Sequence, residues 1–321
     1  SIAWNSPSEA EVIRIGPGQQ FFGRFREITG MQKPVLVLVD RQYADAFARL
    51  KANVQRGRIV QNGQKNSSAA VFVLGGQEPS SLKVTFANSV EAAPLFNVAG
   101  MLKGKSRPNE IVVFSAHYDH LGLVKPLEGD SIANGADDDA SGTTAVIELA
   151  RHFKKAGNNE RTIIFVAFTA EEIGGYGSRY FSSKLDPAAV VAMFNIEMIG
   201  KESKFGTNAA FITGYERSDF GKILQKNLEG TEFTFHPDPY PEQQLFYRSD
   251  NATLAALGVP AHTISTDQID VDKFYHTVND ELETLDVQNI ARTIRAIALS
   301  SRSIVDGTDT PSRIPPLEGR K

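Results

Sequence analysis

Short apolar runs recur along the chain, each ending in polar residues, and stretches of helical spacing separate them. The run IVVFSA over 111–116 is rich in branched residues and turns polar beyond its end, which predicts a buried strand with His117 at its carboxyl end. In the following TTAVIELARHFKKAG, Val146, Leu149, Ala150 and Phe153 fall at helical spacing and Gly157 stops the run, so a helix is expected just after Asp138. RTIIFVAFT (161–169) and VVAMFNIEM (190–198) read as two further buried strands. AAFITG (209–214), a helix-like stretch at 218–228, VPAHTIS (259–265) and a closing helix over 287–305 continue the alternation.

This order predicts an α/β fold with a mostly parallel, mixed central sheet flanked by helices, and ligands are expected outside the carboxyl ends of such strands. Residues 1–95 are less regular, with VLVLVD (35–40), AAVFVLG (69–75) and LKVTFA (82–87) as strands of an accessory half-sheet. The tail 306–321, with Pro311, Pro315 and Pro316, lacks an apolar period and is expected to lie over the surface. With no internal repeat, the expectation is a single domain over 1–321 whose catalytic core spans 96–305.

Composition narrows the function classes. The chain has 321 residues, 41% hydrophobic and 22% charged, as in an ordinary globular protein. A net charge of -4 and a pI near 5.9 leave no basic stripe for a phosphate backbone, which argues against nucleic acid and for small or peptidic substrates. Cysteine is absent, so any metal must take nitrogen and oxygen ligands. No run approaches the ~20 apolar residues of a membrane span. The start at Ser1 reads as that of a mature or trimmed product. Composition carries no signal for oligomeric state.

The chemistry-bearing residues gather at the strand ends. His117 alone would be an ordinary core histidine, but Asp119 two residues on points the same way in extended backbone and is expected to accept a hydrogen bond from the second imidazole nitrogen. Asp137, Asp138 and Asp139 are consecutive; a dication would offset their repulsion, with Asp138 bridging two cations while Asp139 or Ser141 caps the helix. Glu171 and Glu172 end an apolar strand, and their diverging side chains suit one to ligation and the other to catalysis. Glu197 sits in an apolar strand, where a lone carboxylate is costly unless neutralised. His276, in a polar loop before the closing helix, is a weak signal by itself, and His120 is too close to His117 to count independently.

Five blocks, NVAGMLKGKSRPNEIVVFSAHYDHLG, GADDDASG, FVAFTAEEIGGYGSRYF, FNIEMIG and FYHTVND, resemble the di-zinc exopeptidase family typified by secreted bacterial leucyl aminopeptidases, whose relatives include glutamate carboxypeptidases and the single-zinc glutaminyl cyclases. The likeness covers roughly residues 96 to 305. It implies zinc, two ions or one, held by His117, Asp138, Glu172, Glu197 and His276, with Glu171 as general base, Asp119 orienting the first histidine and Tyr275 stabilising an oxyanion. It also implies peptide substrates and a periplasmic or secreted location. Glu197 stands where the family usually has aspartate, which bears on whether one or two ions are held. Carboxypeptidase, glutaminyl cyclase and a non-catalytic binding module are the rival readings.

Overall fold

The computed structural model describes residues 2–4, 9–55, 69–75, 83–86 and 91–317. The chain divides into two compact units, Ser1–Ala93 and Pro94–Lys321, where a single domain was expected. The border falls close to residue 96, at which the sequence pattern becomes regular.

The first unit is built from β1 (Ile2–Trp4), β2 (Glu11–Ile15), α1 (Phe21–Thr29), β3 (Val35–Val39), α2 (Ala44–Gln55), β4 (Ala70–Leu74) and β5 (Val84–Phe86). Strands β2, β3 and β4 form a parallel sheet with the wholly apolar β3 in the middle. A fully apolar strand is what a sheet covered on both faces requires. Ile15, Phe21, Ile28, Val35, Val37 and Val39 form its core. The expected half-sheet thus gains β2 and two helices that were not expected, but loses its third expected strand: β5 pairs antiparallel with β1 in a separate two-stranded sheet, and residues 82 and 87 lie outside the described residues.

The second unit carries β6 (Val98–Leu102), β7 (Arg107–His117), β8 (Gly122–Leu127), β9 (Asp130–Ala133), α3 (Gly142–Ala156), β10 (Arg161–Phe168), α4 (Tyr176–Ser182), β11 (Val190–Ile196), β12 (Ala209–Ile212), α5 (Phe220–Asn227), β13 (Thr234–Pro237), α6 (Asn251–Ala255), β14 (Ala261–Ser265), α7 (Val287–Ser300) and α8 (Arg302–Val305). Its seven-stranded sheet runs β13-β12-β14-β11-β7-β10-β6. The four consecutive strands β14, β11, β7 and β10 are parallel, while β12, paired with β13, runs antiparallel to β14 and β6 closes the other edge antiparallel. All four therefore present their carboxyl ends on one side.

Both faces of this sheet are covered, so side chains of opposite parity are buried alike. Val112, Phe114 and Ala116 of β7 pack with residues of α3, α5 and α7, and Phe114 stacks on Phe194 at 4.7 Å and on Phe153 at 5.5 Å. Val113 turns to the other face with Val166, Met193, Leu254 and Ile314. Ile314 belongs to the tail expected on the surface; it is 2% exposed, and the tail is docked rather than draped.

What docks it is Arg161, 1% exposed at the start of β10. Its guanidinium donates to Glu110 at 2.6 Å and to the Ile304 and Asp309 carbonyls at 2.7 and 2.6 Å, and it also reaches Thr310 Oγ1. Arg161→Met keeps the bulk but leaves the buried Ile304 carbonyl and the part-buried Asp309 carbonyl without their donor. It should lower the unfolding free energy by roughly 3 kcal/mol, read by urea titration.

Candidate metal centre

His117 is the last residue of β7, Glu171 and Glu172 follow β10, and Glu197 follows β11, so the parallel inner strands bring these groups to one rim. Asp138 arrives from the segment that leads into α3, and His276 from the loop after β14. Close approach is needed here: a Cβ on Gly142, the first residue of α3, would sit 2.2 Å from the Ile196 carbonyl oxygen and 2.4 Å from Asp139 Oδ1. Ala170, Met198 and His276 hold φ of 58°, 52° and 57°. Left-handed backbone in residues other than glycine is uncommon and concentrates at functional sites; here it occurs beside Glu171 and Glu197 and at His276 itself.

Asp138 is the hub. Its Oδ1 lies 3.2 Å from His117 Nε2, and its Oδ2 lies 3.2 Å from His276 Nε2. His276 Nε2 is also 3.2 Å from Glu172 Oε2. Ligand atoms of His117, Asp138 and Glu197 all fall within 4.8 Å of one another, as do those of His120, Asp138 and Glu172. Two donors at tetrahedral positions around an ion bonded at ~2.0 Å stand about 3.3 Å apart, so these separations suit shared coordination. His117 Nε2 faces Asp138 Oδ1 and Glu172 Oε1 faces His120 Nδ1 at 2.7 Å, so the buried donor atoms point at one another across the space a shared ion would fill. Nitrogen and carboxylate donors fit a borderline dication, and Glu197, one methylene longer than the usual aspartate, still reaches the His117 group.

A further tier of carboxylates aims these ligands. His117 Nδ1 lies 3.0 Å from the Asp119 carbonyl oxygen, which can only accept, so Nδ1 carries a proton and Nε2 is the nitrogen turned to Asp138 and the centre. The sequence reading put the Asp119 carboxylate on that nitrogen. In the structure Asp119 Oδ1 is 3.9 Å away, and the carboxylate instead accepts the Glu171 and Glu172 backbone N–H groups at 3.1 and 3.4 Å. Asp139 accepts from the backbone of His117 (3.2 Å), Gly142 (3.1 Å) and Met198 (3.1 Å), tying β7, α3 and the end of β11 together.

Three participants escaped the sequence reading. The His120 side chain is 6% exposed, with Nδ1 2.7 Å from Glu172 Oε1; its only signal was its place three residues after His117. Asp280 accepts the Asp137 and Asp138 backbone N–H groups at 3.0 and 3.1 Å. Asp250, fully buried ahead of α6, has its carboxyl pushed up to about 6 by burial.

Ligands and neighbours border a cavity of about 300 Å³, lined among others by Glu171, Arg248, Asp267, Tyr275 and His276. Of the two loops expected to line it, 200–208 contributes none of the lining residues, whereas 236–249 supplies Leu245, Arg248 and Ser249.

Residues 97–300 match the profile of Peptidase family M28. The chain belongs to peptidase family M28. A probable zinc metalloprotease of Leptosphaeria maculans is 30% identical over 143 residues, 44% of this chain and 32% of that protein. Leucine aminopeptidase 1 of Penicillium rubens is 30% identical over 206 residues, 59% of this chain and 51% of that protein. The chain therefore spans about a third of the first relative and half of the second. The structure of a zinc aminopeptidase from Bacillus subtilis shares the fold, with a TM-score of 0.56 at 19% identity over 93% of this chain and 71% of that one.

The electrostatics of this M28 site show what it lacks without metal. Burial first, then the charge of Glu197, pushes Glu171 up to about 9; burial likewise pushes Glu197 up to about 7. Hydrogen bonds to Asp138 and Glu172 raise His276 to about 10. Asp138 is held low despite its burial, because His117 and His276 bond to it. Above pH 5 the held-low carboxylates are ionised in both folded and unfolded chains, so the raised groups dominate the change on unfolding, opposed below pH 6.5 by His262, which burial lowers to about 4. Each binds its proton more tightly when folded, so stability present below its unfolded value is lost as pH rises toward about 7 for Glu197 and about 9 for Glu171. Chelator-treated protein should melt progressively lower between pH 5 and pH 9, and a divalent metal should flatten that slope; calorimetric scans across the range check it.

Proposed function

We propose that this chain is a zinc-dependent metallo-aminopeptidase that removes N-terminal residues from peptides. One observation carries the reading: the two oxygens of Asp138 face two different histidines, while Glu171 borders the same cavity and belongs to neither of the two ligand groups around Asp138. His117, Asp138 and Glu197 would hold one ion, and Glu172 and His276 with the second Asp138 oxygen the other. Zinc supplies Lewis acidity there and brings a water to ionise near neutral pH.

The chain's own residues do the rest. Glu171, ionised once cations balance Glu197 and Asp138, takes the proton of the attacking water and passes it to the departing amine. Asp119 fixes the turn that carries it through the Glu171 and Glu172 backbone N–H groups. Tyr275 is kept protonated by burial and by the charge of Asp138, so its hydroxyl donates to the oxyanion of the tetrahedral intermediate. The names of leucine aminopeptidase relatives support the exopeptidase choice. Export to the periplasm or medium is part of the proposal and rests on the resemblance to secreted aminopeptidases.

Arg248 favours a second reading, because a guanidinium in the cavity suits a substrate carboxylate and hence a carboxypeptidase or a dipeptide substrate. Among the described residues no helix is long and apolar enough to cross a membrane.

Glu171→Gln should cut kcat on aminoacyl-anilides by about 100-fold or more while zinc content stays that of the wild type. Asp138→Ala should lose zinc. Elemental analysis beside turnover separates the two outcomes, and full activity in Glu171→Gln would remove the assigned base. Cleavage of N-blocked peptides from the carboxyl end, with anilides untouched, would move the reading to carboxypeptidase.

A further inference from the structure

The cavity has a second charged wall that the hydrolytic chemistry does not use. Asp267, two residues beyond β14, is 3% exposed, lines the cavity, and has no hydrogen-bond partner on either carboxylate oxygen. Its ligating oxygen lies within 4.8 Å of oxygens from Asp137 and Asp272. Among the described residues one cation pairs with these carboxylates: Lys201 Nζ stands 2.6 Å from Asp272 Oδ2 and 3.5 Å from Asp137 Oδ2. Ionised together, the three carboxylates would exceed that cation by two charges. Burial first, then Asp272 and Asp137, accordingly push the Asp267 carboxyl up to about 8.

The lone pairs still open identify where a balancing charge would come from. Asp272 is occupied at both oxygens, Oδ2 by Lys201 and Oδ1 by the Phe274 backbone N–H at 2.9 Å. Asp137 Oδ1 accepts from the Gly200 backbone at 2.7 Å and from Ser141 at 3.1 Å. A metal ion shared by all three would sit against the Lys201 ammonium and be repelled. Only Asp267 offers a whole carboxylate, and it offers it to the cavity. Phe211, Ile269 and Met198 supply apolar wall in the same cavity, with Thr213 and Ser265 as polar neighbours. Apolar walls ending in a buried acid suit a long aliphatic stem with a cationic head. The charged groups that act most on Asp267 are Asp272, Asp137 and Lys201.

We propose that Asp267 is a specificity-determining residue that receives the ammonium or guanidinium of a lysine or arginine side chain on the substrate. The assignment rests on the aminopeptidase reading and names its substrate class: peptides with a basic N-terminal residue.

The test compares lysyl-, arginyl-, norleucyl- and leucyl-anilides on the zinc-loaded chain and its Asp267→Asn variant. Norleucine has the aliphatic stem of lysine without the ammonium, and a ratio taken within one protein is insensitive to partial loss of fold or metal. The wild type should prefer lysine to norleucine in kcat/KM by about tenfold or more, and Asp267→Asn should bring the ratio near one. A wild type that prefers norleucine overturns the proposal. So does a variant that loses lysine and norleucine turnover equally, since Asp267 would then serve the α-ammonium or the fold. If no anilide is cleaved, the aminopeptidase reading fails, and calorimetric binding of free lysine against free norleucine to the same two proteins still decides Asp267. Tighter lysine binding that disappears in the variant upholds the assignment, and equal binding overturns it.

Discussion

Everything at this site depends on holding like charges together around Asp138. Glu171, Glu172, Glu197 and Asp138 crowd one cavity with His117 and His276, and the fold keeps them there against their repulsion. The restraint comes from a set of carboxylates that accept backbone N–H groups. Asp119 holds the Glu171–Glu172 turn, Asp139 holds the ends of β7 and β11 and the start of α3, and Asp280 holds the segment carrying Asp138. Each ligand-bearing loop is thus pinned by a carboxyl group whose oxygens are already occupied by backbone N–H groups, which leaves the cavity-facing carboxylates for cations.

The parallel inner strands make this arrangement economical. Strands in one direction end on one rim, so His117, Glu171, Glu172 and Glu197 meet without long loops, and the antiparallel edge strand β6 stays away from the chemistry. Left-handed backbone at Ala170, Met198 and His276 then turns the chain sharply just where a strand or loop must hand over a ligand. Packing through Phe114 and the Arg161 anchor on the other parts of the sheet supplies the rigidity that such turns need.

Much of this was legible in the chain. The buried strands at 111–116, 161–169 and 190–198 were visible because a doubly covered strand is a continuous apolar run, and the acids at their ends stood out against that background. The candidate site residues stood out in the chain through motif likeness for His276 and Tyr275 and through charge in apolar surroundings for Glu197. The half-sheet of the first unit was seen only in part, because β2 (Glu11–Ile15) mixes charged and apolar residues and the short α1 sets Phe21, Phe25 and Ile28 among charged neighbours.

Local pattern determined the elements, their order, the mixed sheet and the set of candidate ligands, since strand and helix periodicity and residue chemistry are properties of neighbouring residues. Only the tertiary structure decided which oxygen of Asp138 meets which histidine, that the Asp119 carbonyl and not its carboxylate sits on His117, that His120 reaches Glu172, and that Ile314 is core. It also placed Asp267 beside Asp137, 130 positions earlier in the chain. Such partners are far apart in sequence and leave no periodic trace, so their meeting is set by the packing of the whole sheet.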